Sequence, residues 1–456
     1  MFIGRDYELK TLNDLYSENK FQLAIVYGRR RVGKTTLLAK FIEDKPAIFF
    51  AASEASNKIN LEYFSEQVLT FFDDYGIVSP FADWETAFRY LAKHSQDKQV
   101  ILIIDEFPYI AESNKSLMSI MQNAIDHSLK STKLFMVLCG SYMGFMERDV
   151  LGYKSPLFGR RTAQLKIEAF DYYDSSKFIP EYTPIDKIIA YGIWGGIPHY
   201  LDKINPRLSL YENITKCFLD RSSYLYGEPT AILKQELREP TMYNSIIEAI
   251  ANGASKLNEI ATKIGEDGNK CAKYIKTLME LGFIHKETPY GIDEKSRRTI
   301  YGINDNLFKF WYRFIFPNLS LIEKGMAQTV LEQVIKPHLE TYTGHIFERV
   351  CSEFLWRQNK DGKLPFIFET TSRYWGTDNK KHSQFEIDII AGRKDYAIFA
   401  ECKWRNESFK QSIADDLINK SDNLLEKHKY YALFSKTGFD FENQSGFLLY
   451  TPNDMF

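Results

Sequence analysis

Long apolar runs are missing from this sequence, and none approaches the roughly 20 residues that a membrane-spanning helix needs. The opening residues 1–6 carry charge at once and lack the apolar region of a signal peptide. We therefore expect a soluble, cytoplasmic protein that has no membrane partner.

Cysteines are few, scattered and odd in number, and no two of them form a Cys-x-x-Cys pair. This spacing argues against a disulfide framework and against a structural zinc site, and it predicts reduced thiols. The cysteines are Cys139, Cys217, Cys271, Cys351 and Cys402.

A net charge is also nearly absent, since the formal charge of the 456-residue chain is −2. Without a basic excess, any surface that binds nucleic acid must be a local patch. The length predicts about two to four domains, each large enough to bury a core.

A glycine-rich segment, residues 28–35, organises the first part of the chain. It follows the apolar run 21–26 and precedes the helically spaced segment 36–42, and this order is typical of a phosphate-binding loop. Glycines let backbone N–H groups converge on an anion, and the following helix directs the positive end of its dipole to the same place. The alternative is a surface turn that matches by accident; the flanking strand and helix favour the phosphate site.

Two residues of this segment have specific expected roles. Lys34 would contact the β- and γ-phosphates of ATP, and the Thr35 hydroxyl would be a ligand of Mg²⁺. The predicted nucleotide-binding residues are Gly28, Arg29, Arg30, Arg31, Val32, Gly33, Lys34, Thr35 and Thr36.

A second motif follows the continuous apolar run 100–104, which is typical of a strand buried on both faces of a parallel sheet. It ends in Asp105 and Glu106, and such sheets bind ligands at the carboxyl ends of their strands. Asp105 is expected to hold the magnesium ion, and Glu106 to polarise the attacking water. A strand that simply ends in solvated acids is the alternative.

Two further residues are candidates for the same site. Ser141 ends the apolar run 134–140 and is either a sensor of the γ-phosphate or an ordinary turn serine. Arg160, in the segment 155–161, is either an arginine finger that neutralises the transferring phosphoryl group or half of a salt bridge.

Residues 236–315 predict a winged helix-turn-helix. Helical spacing over 243–251, 256–265 and 269–281 precedes two alternating segments, 284–287 and 297–303, that suggest a hairpin. The last helix would expose Lys270, Lys273 and Lys276. Residues 263–298 hold eight Lys/Arg and six Asp/Glu, a mild basic bias that leaves both DNA binding and protein packing open. Residues 304–316 predict a buried docking helix.

The C-terminal part carries a second group of charged residues. Asp388 lies on the predicted strand 385–391, and Glu401 and Lys403 share one face of the predicted strand 396–404. Two converging carboxylates could bind Mg²⁺ or Mn²⁺ beside a scissile phosphate, with Lys403 orienting water and Glu348 completing the metal shell. The alternative is a set of strand-end ion pairs in a fold that has lost activity. A helix is predicted over 412–428, followed by a strand over 430–434.

The N-terminal motifs resemble those of the archaeal-type ATPases, a group of AAA-related signal-transducing P-loop proteins. The resemblance rests on Gly4-Arg5 with Glu8, the arginine-rich loop, Asp105-Glu106 and the segment 157–160. The segment 194–201 is similar to that family's glycine-glycine-x-proline segment, which implies that Pro198 lies near the nucleotide at the start of a helical lid.

The C-terminal order of helices and strands resembles the PD-(D/E)xK restriction-endonuclease-like fold, with Asp388, Glu401 and Lys403 as the matching residues. The proline that usually precedes the first acid is replaced by Ile387, which makes the motif less specific.

Together these features predict a multidomain α/β protein. Its parts would be a P-loop parallel-sheet ATPase core (1–170), a helical lid (171–235) broken at prolines that include Pro229, a winged helix (236–315) and a nuclease-like α/β domain (316–456). We expect an ATP-hydrolysing switch that acts on DNA and carries a metal-dependent nuclease. The alternative is a nucleotide-gated DNA-binding, regulatory or protein-interaction module with an inactive nuclease-like domain. The DNA target, the biological process and self-association are left open.

Overall fold

The structure is a computed structural model that describes residues 2–237, 239–293, 296, 298–378, 383–443 and 446–456. The chain divides into two compact units, residues 1–169 and 170–456. Among the described residues, no helix is both long enough and apolar enough to cross a membrane.

The first unit is a parallel sheet with helices on both faces. Its strands are β1 (Gln22–Tyr27), β2 (Ala47–Ala51), β3 (Val100–Asp105), β4 (Leu134–Gly140) and β5 (Ala163–Lys166). Its helices are α1 (Asp6–Ser17), α2 (Lys34–Ile42), α3 (Asn57–Phe71), α4 (Trp84–His94), α5 (Phe107–Ser113), α6 (Leu117–His127) and α7 (Met143–Phe145), with a 3₁₀ turn at Leu129–Ser131 and a π turn at Met146–Val150.

The strand order in this sheet is β2-β3-β4-β1-β5, and every neighbouring pair is parallel. All residues of β1, β3 and β4 are buried because alternate side chains pack into two separate cores, one on each face of the sheet. Each fully buried aliphatic side chain contributes about 1.5–3 kcal/mol to stability. The predicted parallel-sheet core is therefore confirmed, and the carboxyl ends of the three central strands meet at one edge.

The second unit begins with helices. They are α8 (Tyr172–Ser176), α9 (Pro184–Trp194), α10 (Pro198–Leu201), α11 (Leu210–Ile214), α12 (Tyr224–Glu236), α13 (Pro240–Ala251), α14 (Leu257–Ile264) and α15 (Gly268–Glu280), with a π turn at Thr215–Leu219. The predicted break at Pro229 is wrong. Pro229 lies inside α12 and is buried with Leu225 and Leu233, so packing holds the helix together despite the missing N–H group.

A hairpin and a second group of helices follow. The hairpin strands β6 (Ile284–Glu287) and β7 (Ile300–Ile303) are antiparallel; Arg297, where the second strand was predicted to begin, lies outside the described residues. The next helices are α16 (Asn306–Phe310), α17 (Leu319–Glu323), α18 (Ala327–Val330) and α19 (Lys336–Lys360), with π turns at Trp311–Ile315 and Leu331–Ile335 and a 3₁₀ turn at Phe316–Asn318. Phe308, Phe310, Trp311, Tyr312 and Phe314 are buried, which confirms the predicted burial of this segment.

The chain ends in a five-stranded mixed sheet. Its elements are β8 (Thr370–Asp378), β9 (Ser383–Arg393), β10 (Tyr396–Lys403), α20 (Gln411–Ser421), β11 (His428–Ser435), β12 (Leu448–Tyr450) and a 3₁₀ turn at Pro452–Asp454. The order is β12-β11-β10-β9-β8, with antiparallel pairs on the β8 side and parallel pairs on the β12 side.

The predicted helix over 412–428 is wrong in its second half. Helix α20 ends at Ser421, and His428 already belongs to β11. Beyond Ser421, Leu424 still packs against the apolar cluster under α20, but Leu425 is 96% exposed. One apolar cluster, which runs from Phe170 to Met455, joins the helices, the hairpin and one face of this sheet; α20 covers the other face.

Candidate functional site

The P-loop, residues 28–35, connects the buried end of β1 to the first turn of α2. Two of its residues adopt left-handed backbone conformations, Arg31 with φ 69° and Gly33 with φ 89°. Gly28 lies so close to β5 that a Cβ atom there would be 2.2 Å from the carbonyl oxygen of Ile167. The loop therefore needs glycine at position 28 for close packing and at position 33 for its backbone turn.

The Lys34 side chain is folded back over the loop. Its Nζ atom donates hydrogen bonds of 2.9 Å each to the carbonyl oxygens of Gly28 and Arg29, and the residue is 6% exposed. Burial lowers the pKa of Lys34, and the charges of Asp105 and Glu106 oppose that shift. An ammonium group held in this way is available to a phosphate that reaches the loop.

Thr35 and Asp105 meet across the sheet edge. The Thr35 hydroxyl donates a hydrogen bond of 3.0 Å to Asp105 Oδ2, while Asp105 Oδ1 accepts one from the backbone N–H of Glu106. A hydroxyl and a carboxylate are oxygen ligands of the kind that Mg²⁺ prefers. These two residues fit the ligand set of a magnesium ion that is bound together with a nucleotide.

Glu106 is fixed by a residue at the end of the neighbouring strand. Its Oε1 accepts a hydrogen bond of 2.5 Å from the Ser141 hydroxyl, and its Oε2 accepts a longer one from the Ser141 backbone N–H. Glu106 also adopts a left-handed conformation with φ 50°, which is uncommon for a residue with a side chain. Ser141 therefore contacts Glu106, whereas its role as a phosphate sensor stays a prediction.

Arg5 anchors the P-loop from the N-terminus. Its guanidinium donates to the carbonyl oxygens of Val32 and Glu168 and forms an ion pair of 3.3 Å with Glu8. The sequence shows Arg5 only as part of a motif. Its contacts with Val32 and Glu168 could not be predicted, because these residues lie far from Arg5 in the chain.

Arg160 has a partner within the first unit. It forms a bidentate ion pair with Asp126, with a shortest distance of 2.6 Å, and this pair lowers the pKa of Asp126 to about 2. The salt bridge is one of the two alternatives that the sequence leaves open for Arg160, and a catalytic role stays a prediction. Pro198 begins α10 in the second unit, and its role beside a nucleotide also stays a prediction.

The C-terminal acids lie on neighbouring strands of the second sheet. We call Asp388 on β9 and Glu401 on β10 the acid pair. Asp388 Oδ2 accepts a hydrogen bond of 2.8 Å from the backbone N–H of Cys402, and Lys403 donates to Glu401 Oε1. Burial raises the pKa of Asp388 to about 7, and Glu401 and Glu348 add to the effect.

One oxygen of the acid pair remains without a hydrogen-bond partner. Glu401 Oε2 is buried, accepts no hydrogen bond from the described residues and lies 3.9 Å from the ammonium of Lys420. Lys420 was not predicted, because nothing in its local sequence distinguishes it from other helix lysines. Glu348 is ion-paired with Arg373 at 3.7 Å.

The metal-binding capacity of this region is limited. Within the described ranges, no three histidine, cysteine, aspartate or glutamate side chains are grouped closely enough to hold a metal ion. The free oxygen of Glu401 beside Asp388 fits a divalent cation only if water or substrate oxygens supply its remaining ligands. The residues there could thus share a cation with a bound phosphate.

A sheet of this order, with a glycine-rich loop after β1 and an acid beside the loop threonine, defines a P-loop ATPase domain. Residues 2–204 match the sequence model of a family described as "ATPase domain predominantly from Archaea". Residues 311–414 match a second model, described as "Archaea bacterial proteins of unknown function".

An uncharacterized protein of Methanocaldococcus jannaschii is 36% identical to this chain over 442 residues, which is 96% of each protein. The chain belongs to the same family as that protein, and its residues 2–204 form an archaeal-type ATPase domain. An uncharacterized ATP-binding protein of the same organism is 56% identical over 45 residues, 10% of this chain and 76% of that protein. Among solved structures, a Walker-type ATPase of Pyrococcus abyssi is similar in fold, with a TM-score of 0.51 and 19% identity over 68% of this chain and 96% of that one.

Proposed function

We propose that this protein binds ATP with Mg²⁺ at the P-loop, hydrolyses it, and uses the bound nucleotide to control the action of its second unit on DNA. The observation that carries the first part is the hydrogen bond between Thr35 and Asp105, with Lys34 folded over the same loop. The match to the archaeal ATPase domain and the similarity of 45 residues to an uncharacterized ATP-binding protein support it.

The residues of the site divide the work of ATP hydrolysis. Backbone N–H groups of the P-loop and the Lys34 ammonium bind the phosphates, and Thr35 and Asp105 would hold magnesium, which neutralises phosphate charge when bound. Glu106 would orient the attacking water and accept its proton, since its carboxylate is held at the end of the adjacent strand by Ser141. Hydrolysis then cleaves the bond to the γ-phosphate and releases ADP and phosphate.

Replacement of Lys34 tests this assignment. Lys34→Ala should lower ATP turnover by roughly 10²- to 10³-fold, the effect of losing one donor to a developing charge. Lys40→Ala is the matched control, because Lys40 lies on the same helix and forms only an exposed ion pair with Glu43. Unchanged ATP binding and turnover in Lys34→Ala would refute the nucleotide site.

Action on DNA is proposed for the three helices α13, α14 and α15 with the β6–β7 hairpin, an order that is typical of a winged helix. Lys273 on α15 is exposed, whereas Lys270 and Lys276 form ion pairs with Glu266 and Glu280. Only part of the basic charge on this helix is therefore free for phosphates. DNA affinity that falls steeply with salt and is weakened by Lys273→Ala would support this role.

Cleavage of a phosphodiester is proposed for the acid pair with Lys403. The unpartnered oxygen of Glu401 and its neighbour Asp388 would hold Mg²⁺ or Mn²⁺, which activates a water when bound. Asp388→Asn should abolish metal-dependent cleavage of DNA in the presence of Mn²⁺. Asp415→Asn should not, because Asp415 is exposed on α20 and accepts a hydrogen bond from Gln411 of the same helix. Cleavage that survives in Asp388→Asn would exclude this site.

A second candidate function is a nucleotide-gated DNA-binding or regulatory module without phosphodiester chemistry. The ion pair between Lys403 and Glu401 favours it, as does the lack of a three-residue metal-binding group among the described residues. A cleavage assay with Mn²⁺, with and without ATP, separates the two candidates.

A further inference from the structure

A cavity of about 650 Å³ is lined by residues of the second unit. Its walls come from the end of α13, the β6–β7 hairpin, α16, α19 and the first residues of β8 and middle of β9. The volume falls within the roughly 300–1,000 Å³ of pockets that enclose one small molecule or the end of a chain.

Four cationic side chains line this cavity, and two of them are neutralised by acids. Arg349 forms an ion pair of 3.0 Å with Glu353, and Arg373 is paired with Glu348 and Glu386. These guanidinium groups are therefore occupied within the protein.

The other two cations have no carboxylate partner in the described part of the chain. The Lys309 side chain makes no hydrogen bond and no ion pair there, and its ammonium lies 5.9 Å from the centre of the Tyr342 ring. Arg313 donates one hydrogen bond of 2.7 Å to the side-chain oxygen of Asn252. Lys309 is half-buried and Arg313 is exposed at this surface. A half-buried ammonium that lacks a hydrogen bond and a carboxylate partner is poorly compensated, so its position in the cavity favours an anionic ligand.

The remaining walls suit an aromatic or apolar group beside that anion. Ile250, Tyr301 and Ile346 line the cavity together with three histidines. Glu348 interacts electrostatically with both Lys309 and Asp388, and all three residues line the cavity.

We propose that the cavity binds a nucleoside phosphate monoester, either a free mononucleotide or the phosphorylated end of a single nucleic-acid strand, with Lys309 and Arg313 holding the phosphate. That the ligand belongs to a nucleic acid is inferred from the proposed function of the acid pair. The group that the cavity recognises is thus a terminal phosphate and not an internal phosphodiester.

Binding of oligothymidylates labelled at the opposite end tests the proposal. The full-length Lys34→Ala protein is used in EDTA, so neither the P-loop nor metal-dependent cleavage contributes. A strand with a terminal phosphate should bind about tenfold or more tightly than the same strand with a terminal hydroxyl, the effect expected of hydrogen bonds between charged groups. Strands phosphorylated at the 5′ end and at the 3′ end, and thymidine monophosphate as competitor, distinguish the sources of the phosphate.

Lys309→Met and Arg313→Gln should each remove this preference, and Lys309→Arg should retain part of it. Lys324→Met is the control, because Lys324 is exposed and lies outside the cavity. Equal affinity for phosphorylated and unphosphorylated strands, or a preference that survives in both variants, would overturn the proposal. Phosphate-dependent binding in a protein that cleaves nothing would leave the cavity assignment standing and refute only the nuclease.

Discussion

Thr35 donates its hydroxyl hydrogen to Asp105 across 3.0 Å, which joins the first turn of α2 directly to the end of β3. Both side chains are thus oriented toward one another. Because each is a hard oxygen ligand, the pair should matter for magnesium-dependent binding and much less for the nucleotide alone.

Thr35→Val removes the hydroxyl at nearly constant volume. We expect the affinity for ATP in the presence of Mg²⁺ to fall roughly tenfold or more, since a hydrogen bond to a charged group contributes about 1.5–3 kcal/mol. Calorimetric titration with and without Mg²⁺ measures this, and Thr35→Ser should restore binding. An equal loss in magnesium-free buffer would contradict a role at the metal.

Ser141→Ala removes the hydrogen bond that holds the Glu106 carboxylate. ATP turnover should fall by about tenfold because the carboxylate loses its orientation, while ATP affinity should stay the same. Comparison of kcat with the dissociation constant of a non-hydrolysable analogue checks this. If affinity and turnover fell together, Ser141 would instead contact the nucleotide.

Gly28→Ala places a Cβ atom 2.2 Å from the Ile167 carbonyl oxygen. The loop must move to accommodate it, so we expect a loss of about 1–3 kcal/mol in the free energy of unfolding together with weaker ATP binding. Gly144→Ala is the control in the same unit, because its Cβ would meet only an ordinary contact of 3.6 Å with Tyr142. Denaturant unfolding of both variants provides the comparison.

Lys309 predicts a dependence of stability on pH. Burial lowers its pKa from 10.5 to about 8; Glu348 opposes the shift, whereas Arg349 and Arg373 add to it. Below pH 8 the folded and unfolded chains both carry the proton, and the cost of burying the charge is fully present. Between about pH 8 and 10.5, Lys309 has lost its proton in the folded chain but keeps it in the unfolded chain. The free energy of unfolding therefore rises with pH over this range.

Lys309→Met should therefore raise the free energy of unfolding at neutral pH, by about 3 kcal/mol at most, and the gain should vanish near pH 10.5. Urea unfolding at several pH values measures the difference between the two proteins. Their other titratable groups at the cavity are the same in both proteins; they are His285, Glu287, Tyr301, Arg313, His338, Tyr342, His345, Glu348, Arg349, Arg373 and Asp388. A variant without a gain at pH 7 would show that the lysine is stabilised in the fold.

The parts of the fold that the sequence predicts well are local. The run 100–104 is apolar throughout and is followed by Asp105. The burial of this strand, and the position of the acid at its carboxyl end, could therefore be inferred from the pattern alone. The shared strand face of Glu401 and Lys403 could also be predicted, because residues two positions apart in a strand point to the same side. The ends of elements were less predictable. Helix α20 stops seven residues before its predicted end, and the prediction was too long because Leu425, which is exposed, looks in the sequence like a further apolar position of the helix.

Contacts between distant segments could not be predicted from the sequence. Arg5 reaches the carbonyl oxygens of Val32 and Glu168, and Asp126 pairs with Arg160 over a separation of 34 residues. Lys309 is unremarkable in the sequence, because its lack of a partner depends on how the hairpin and α19 enclose it. These features depend on tertiary packing, which single-chain patterns do not encode.

The close approach of Gly28 to Ile167 has a consequence for synthesis of the protein. Strand β1 lies between β4 and β5, so the element that carries the P-loop finds both of its hydrogen-bonded neighbours only after more than a hundred further residues have been made. A growing chain therefore cannot complete its nucleotide-binding geometry until residue 167 has left the ribosome. Truncated translation products that end before that point would be unable to compete with the finished protein for ATP.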